Sequence, residues 1–335
     1  MGNENTARAF WVREPGHGEL RDEALAAPAA GEVRVQTLYS GISRGTETLV
    51  FHGQVPEALH ASMRAPFQQG EFPAPVKYGY ISVGRVEAVA DGIDGQWVGR
   101  TVFSLHPHQD RYVVPLEAVT EVPSTVPARR ATLAANLETA VNAVWDGGPS
   151  VGDRITIVGG GVVGLLAGWL CARIPGTEVK LIDPQPARRQ VAAALGMTWF
   201  AAPSDIPGDL DDLTFHASGH AEGLTTALQR LGPEGTLVEL SWYGTRPVAA
   251  PLGEHFHPRR LRIIGSQVGG IPPQRRPRWS YARRLETVMA LLHDPVLDLL
   301  ITGESAFEEL PDTLAELATP GARPETLCHV VAYTR

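Results

Sequence analysis

Cysteine is almost absent from this 335-residue chain: Cys171 and Cys328 are the two present, far apart and outside any CxxC or Cys/His grouping. That excludes a disulfide framework and a structural zinc site, and it predicts a reducing, cytoplasmic setting. A surplus of positive charge is missing as well. With 29 Lys and Arg against 37 Asp and Glu the formal net charge is -8, so nucleic acid is not an expected partner, because such binders neutralise many phosphates with basic side chains. The opening residues MGNENTARAFWVREPGHGEL lack the basic start and apolar core of a signal peptide, and export is not expected. Long hydrophobic runs are scarce. One uncharged stretch of 18 residues, 155–172, reaches the lower limit for a membrane span. Gly159, Gly160 and Gly161 break it near its start and Asp153 and Arg154 flank it closely, which predicts a strand turning into a helix and no membrane contact.

What is present is ordinary for a globular protein, 43% hydrophobic and 20% charged, at a length that suits two domains. From Gly31 to Pro123 short β-rich runs (EVRVQTLYSG, ISVGRVEAVA, RTVFSL, RYVVP) broken by Gly and Pro predict an antiparallel, barrel-like domain. VKYGYISVGRV, residues 76–86, reads as one bent, half-buried strand. The segment from His52 to Val76 holds four prolines and little periodicity; it predicts a long loop with a helical turn, of the kind that covers sites. From Ala131 helices and strands alternate, which predicts parallel βαβ units. A later helix, WSYARRLETVMALLHD, lines up Tyr281, Leu285, Val288, Met289 and Leu292 on one face. The last strand, TLCHVVAY, is expected to return to the first domain. The expected division is 1–130 with 277–335 for the first domain and 131–276 for the second.

The second domain carries Gly159-x-Gly161-x-x-Gly164 between the strand RITIV and a helix, with Asp183 ending the next strand about twenty residues on. The first glycine makes the tight turn, the second admits a pyrophosphate to the backbone, and the third lets helix and strand pack closely. The helix start that includes Val162 and Val163 would present unpaired N–H groups to the phosphates. Asp183 suits the two ribose hydroxyls of NAD and repels a 2′-phosphate. Arg188 and Arg189 beyond it could accommodate that phosphate or stand as helix-surface residues. Ser218, Ser241 and Val268 lie at or just beyond the carboxyl ends of strands, where ligands sit in such sheets. The arginine-rich run from Arg259 to Arg284 either steers an anion or is a solvated or subunit-facing patch.

These features, with SGISRGTE, GYISVGRVEAV, VGDRITIVGGGVVGLLA and LRIIGSQVG, resemble the medium-chain dehydrogenase/reductase superfamily over nearly the whole chain. SGISRGTE and GYISVGRV are similar to the subgroup that includes the bacteriochlorophyllide dehydrogenase, which oxidises a secondary alcohol side chain with NAD. The resemblance implies an α/β chain with a GroES-like β-barrel catalytic domain and a Rossmann doubly wound parallel sheet, NAD(H) as cofactor, and a homodimer or homotetramer joined at the sheet edge near LRIIGSQVG. At the positions of the superfamily's zinc ligands it sets Ser43, Tyr80 and Ala135, with Ile81 for the glutamate beside the histidine. Ser, Tyr and Ala are poor zinc donors, so zinc independence is expected. Thr139 matches the residue that packs on the nicotinamide.

Without a metal, hydrogen-bond donors must serve a substrate oxygen. Tyr80 and Ser43 are the first candidates, each with a packing alternative, and His106 and His108 either take part or form an exposed turn. Glu138 stands as a base or a helix-start partner, whereas Lys77 and Tyr78 are expected to face solvent. The function implied is hydride transfer between NAD(H) and a secondary alcohol or ketone of a small molecule. The alternatives are a metal-free reductase of activated double bonds and a non-catalytic NAD-binding protein.

Overall fold

The computed structural model describes residues 5–333. It divides into two compact units, one formed by 1–135 with 285–335 and the other by 136–284. The divisions fall at 135 and 284, inside the helices Ala134–Gly147 and Tyr281–Leu291. Among the described residues no helix is long and apolar enough to cross a membrane.

The first unit is built on two sheets. A seven-stranded sheet runs Ile301–Ala306, Cys328–Ala332, Glu32–Ile42, Ser82–Val89, Thr101–Ser104 and Val119–Glu121, with Arg111–Pro115 also paired to Glu32–Ile42. Val33, Val35, Val86, Val102, Tyr112, Val114 and Val119 fill its core; alternation along Glu32–Ile42 sends Val33, Val35 and Thr37 inward. Cys328–Ala332 pairs antiparallel with Glu32–Ile42, as expected for a returning tail. The smaller sheet of four begins with a hairpin, Thr6–Glu14 and His17–Ala24, that lies before the predicted barrel. The segment after His52 contains a helical turn, Glu57–Leu59, but also contributes the short strand Gln69–Gly70.

VKYGYISVGRV is not one strand. Val76–Lys77 belongs to the four-stranded sheet and Ser82–Val89 to the seven-stranded one, so Tyr78–Ile81 is the crossing between sheets. Gly79 makes the crossing possible: its φ is +119°, and a Cβ there would stand 2.8 Å from the His108 ring.

The second unit is a six-stranded parallel sheet in the order Thr198–Phe200, Glu178–Ile182, Arg154–Val158, Asp211–His216, Leu231–Glu239, Arg262–Gly265. Numbered within the unit this is 3-2-1-4-5-6, the order of dinucleotide-binding sheets, which reverses between the first and fourth strands. Ile155 to Val158 is buried throughout, as a central parallel strand covered on both faces requires. Helix Val162–Cys171 is buried on nearly every side, which accounts for its apolar sequence without a membrane. In helix Tyr281–Leu291 the expected apolar face ends early: Tyr281 is 56% exposed and its hydroxyl donates to the Gly269 carbonyl. The buried position of that turn belongs to Arg284.

Candidate active site and dinucleotide cradle

In the second unit the glycine loop follows Arg154–Val158. Gly159 has φ +106°, and a Cβ on it would stand 2.6 Å from the Ser218 backbone nitrogen. A Cβ on Gly164 would reach 2.1 Å from the Gly159 carbonyl oxygen, whereas the space around Gly161 is open. Two glycines thus admit backbone and one leaves a vacancy at the N-cap of Val162–Cys171, which is the distribution a pyrophosphate cradle needs. Val162 and Val163 are partly exposed in the first turn. Asp183 accepts the Gly160 N–H at 2.7 Å and the Gln185 N–H at 2.8 Å, so its carboxylate is held beside the loop with lone pairs left for ribose hydroxyls. The residues present fit a dinucleotide.

Arg188 is buried, with its stem 3.2 Å from where a Gly160 Cβ would stand, so it is not the helix-surface residue that was one reading; Arg189 is exposed. Thr139 is partly exposed on Ala134–Gly147. Ser218 and Ser241 lie beyond two neighbouring strands, and each hydroxyl is engaged by protein: Ser218 with His216 and Ser241 with the Gly219 N–H. Val268 contributes its carbonyl to Arg284. Arg284 also pairs with Glu138 at 3.0 Å and donates to Asn142, so Glu138 is neither a free base nor a helix-start partner. Of the basic run, this arginine is interior.

In the first unit the Tyr80 hydroxyl donates to Ser43 Oγ at 2.5 Å. Ser43 is the N-cap of helix Arg44–Phe51 but makes no side-chain cap bond, so its hydroxyl is spent on Tyr80 and not on the helix end. Glu47 holds the serine from behind, accepting the Ser43 N–H at 2.7 Å. Its other oxygen is 2.8 Å from His108 Nε2, and His108 Nδ1 is 2.7 Å from Ser40 Oγ, itself 3.0 Å from the Tyr333 hydroxyl. Burial pushes the Tyr80 phenol up to about 12, against the opposing hydrogen bonds to Ser43 and Thr46. The tyrosine keeps its proton at neutral pH and acts as a donor.

The two histidines do not form an exposed turn. His108 is 1% exposed and His106 5%. His106 stacks on Tyr112 with ring centroids 3.7 Å apart and lies 5.6 Å from Phe67, and burial lowers its pKa to about 3; it is a neutral ring in an aromatic stack. Lys77 and Tyr78 are buried instead of facing solvent. The Lys77 ammonium meets Glu23 at 2.8 Å and Gln109 at 2.9 Å, and Tyr78 packs edge-on against Tyr80.

Sequence reasoning missed Glu47, Ser40 and Tyr333. Glu47 was within reach, four residues after the helix-capping serine; the other two become neighbours only through strand pairing. Among the described residues no group of three His, Cys, Asp or Glu side chains could hold a metal ion. Glu47, which accepts the Ser43 N–H, and His108 are bonded to each other. This donor set does not fit zinc.

No family model matches the chain. Among curated proteins it is 24% identical over 304 residues to D-guloside 3-dehydrogenase of Escherichia coli (strain K12), covering 84% of this chain and 85% of that one. Among solved structures it is similar to a short chain alcohol dehydrogenase from Escherichia coli CFT073 complexed with NADH (TM-score 0.77, 18% identity, 98% of this chain and 99% of that one). It is also similar to a dehydrogenase from Sinorhizobium meliloti 1021 bound to NADP (TM-score 0.77, 21% identity, 98% and 100%). The chain is similar in sequence to these dehydrogenases and has their two-unit fold, a GroES-like unit and a Rossmann unit; it is an oxidoreductase.

Proposed function

We propose that the chain is a zinc-independent, NAD(H)-dependent oxidoreductase that moves hydride between the nicotinamide and a secondary alcohol or ketone of a small molecule. The observation that carries this is the Tyr80–Ser43 bond, a donor pair at the positions where the family resemblance expects metal ligands. Because Tyr80 donates to Ser43 Oγ, the serine's own proton is directed onward. The pair therefore offers a substrate oxygen a hydroxyl strengthened by the phenol behind it. When bound, the nicotinamide supplies or accepts the hydride. In reduction Ser43 gives its proton to the forming alkoxide and is resupplied by Tyr80, which is partly exposed and recovers a proton from solvent; in oxidation the alcohol proton passes to Ser43 as the serine passes its own to Tyr80 and the phenol releases one to solvent. His108 and Glu47 have a positioning role, holding the serine through its backbone N–H.

NAD is favoured over NADP because Asp183 would face a 2′-phosphate with like charge. The D-guloside 3-dehydrogenase relative supports an alcohol substrate. A homodimer or homotetramer forms part of the proposal, resting on the edge strand Arg262–Gly265, where Ile263 is exposed. A cytoplasmic setting does too, resting on two buried free cysteines.

The test is NADH-linked turnover over a panel of alcohols and ketones, with metal analysis of the same sample. Turnover without stoichiometric metal, lost in Tyr80→Phe with NADH affinity retained, is expected. Stoichiometric zinc or an unaffected Tyr80→Phe would sink the mechanism.

A further inference from the structure

Among the described residues Tyr78, Tyr112 and Tyr333 are the buried tyrosines, and two of them spend their hydroxyls inside the protein. Tyr112 shares a hydrogen bond with Ser82 at 3.1 Å, and Tyr333 shares one with Ser40 at 3.0 Å. Tyr78 does not. The residue is 5% exposed, yet its hydroxyl has no hydrogen-bond partner among the described residues. A buried hydroxyl that has given up water without a replacement costs free energy, and such a group in a native protein calls for a reason. Nor is the oxygen sealed in as Trp169 Nε1 and Thr214 Oγ1 are, which are both enclosed and unpartnered. The small part of Tyr78 that stays accessible includes it.

The ring is held on two sides. Phe72 lies 5.7 Å away at a tilt of 53°, and Tyr80 lies 6.1 Å away and edge-on. Phe72 is backed in turn by His60 at 5.5 Å, so the proline-rich segment after His52 supplies the support. A ring packed in this way does not swing to seek a partner elsewhere. The charges that act on the phenol tell where its oxygen lies: burial raises the Tyr78 pKa, and Tyr80 and Glu47 raise it further. Glu47 is the carboxylate that accepts the Ser43 N–H, which sets the oxygen on the side of the Tyr80–Ser43 pair. A phenol so far from ionising keeps its proton and offers it as a donor.

We propose that the Tyr78 hydroxyl is a second substrate-binding donor in the first unit, taking an oxygen other than the one that is oxidised or reduced, and that the substrate is accordingly polyhydroxylated, a diol, polyol or sugar in place of a plain alcohol. This deepens the oxidoreductase reading above and rests on it. Tyr80 and Ser43 are committed to each other and to the reacting oxygen. Tyr78, two residues away in the same crossing between sheets, has nothing to serve until substrate arrives. A plain alcohol would take the remaining water from that hydroxyl and return no bond, whereas a polyhydroxylated substrate returns one; the discrimination comes from the donor left unpaired. No proton is transferred through Tyr78.

NAD-linked oxidation of matched pairs tests the inference in wild type and Tyr78→Phe: 2-butanol against 2,3-butanediol, cyclohexanol against 1,2-cyclohexanediol, and the monodeoxy derivatives of methyl glucoside against the glucoside itself. In wild type the member with the extra hydroxyl should have a kcat/KM about tenfold higher or more, the worth of one hydrogen bond. In Tyr78→Phe the KM of that member should rise about tenfold with little change in its kcat, so that the members of a pair converge. The melting temperature should stay within about 2 °C of wild type, since the hydroxyl removed had no partner in the protein. Equal kcat/KM within the wild-type pairs overturns the inference and leaves the oxidoreductase reading intact. So does a loss in Tyr78→Phe shared equally by both members, or a clearly lower melting temperature, either of which would assign the hydroxyl to the fold. Turnover of no pair overturns both.

Discussion

Gly159 and Tyr80 stand at the working ends of the two units, and they are placed by different means. Around Gly159 the geometry is set by backbone: a positive φ, an absent Cβ, and a carbonyl 2.1 Å from where a Gly164 side chain would begin. Around Tyr80 it is set by side chains, in a line from Tyr80 through Ser43 and Glu47 to His108, Ser40 and Tyr333. Such a backbone site admits no side chain at Gly159 or Gly164 but is indifferent to much else. A side-chain network can be dismantled one member at a time, each loss leaving a partner unsatisfied.

The sharpest way to break that comparison is Gly164→Ala, which forces a methyl into the Gly159 carbonyl; NADH binding should be abolished and the melting temperature should fall, as calorimetry and NADH titration would report. A bound, stable variant would mean that the close approach is dispensable. Next in size is Tyr80→Phe, expected to lower kcat by about 10²- to 10⁴-fold, the range of a lost proton donor, with NADH affinity unchanged. The phenol sits at about 12, so the limb of the pH–rate profile that belongs to it should lie near pH 12 in wild type; a limb below pH 9 that vanishes in the variant would contradict its role as a neutral donor.

Smaller still is Glu47→Gln, which keeps the shape but weakens the hold on Ser43 and leaves buried His108 without its carboxylate. A kcat loss of about tenfold with KM nearly constant is expected, whereas a change in KM alone would assign Glu47 to substrate binding. The mildest test concerns His106, whose depressed pKa stabilises the fold fully above pH 6.5 and progressively less as pH falls toward about 3. Urea melts at pH 7 and pH 5 should differ by up to about 1.4 kcal/mol per pH unit below 6.5. His106→Phe, which keeps the aromatic stack, should flatten that slope; an unchanged slope would place the acid sensitivity elsewhere.

The same contrast explains how far the residues could be read in advance. The glycine fingerprint, Asp183 and the alternation of strands and helices were legible because each depends on neighbours close in the chain. The break in VKYGYISVGRV was not, because apolar residues run on through Tyr78–Ile81 and only their shift from even positions (Val76, Tyr78, Tyr80) to odd ones (Ile81, Val83) marks where the chain changes sheets. Lys77 was misjudged for a related reason: a lysine reads as exposed until Glu23 and Gln109, both far along the chain, arrive to receive its ammonium. Tyr281 and Arg284 exchanged places because an arginine with three acceptors around it, Glu138, Asn142 and Val268, satisfies a buried position better than the spacing of apolar residues suggests.

By itself the sequence determined the two fold classes, their order along the chain, and a phosphate-ready turn, since local periodicity and glycine stereochemistry suffice for each. Tertiary structure alone decided which polar side chains act together: Tyr80 with Ser43, Glu47 with His108, and His216 with Glu239 are 37, 61 and 23 residues apart. Hydrogen bonds between such groups depend on distances of about 3 Å, and only the pairing of strands and the packing of helices sets distances that small between residues so distant in the chain.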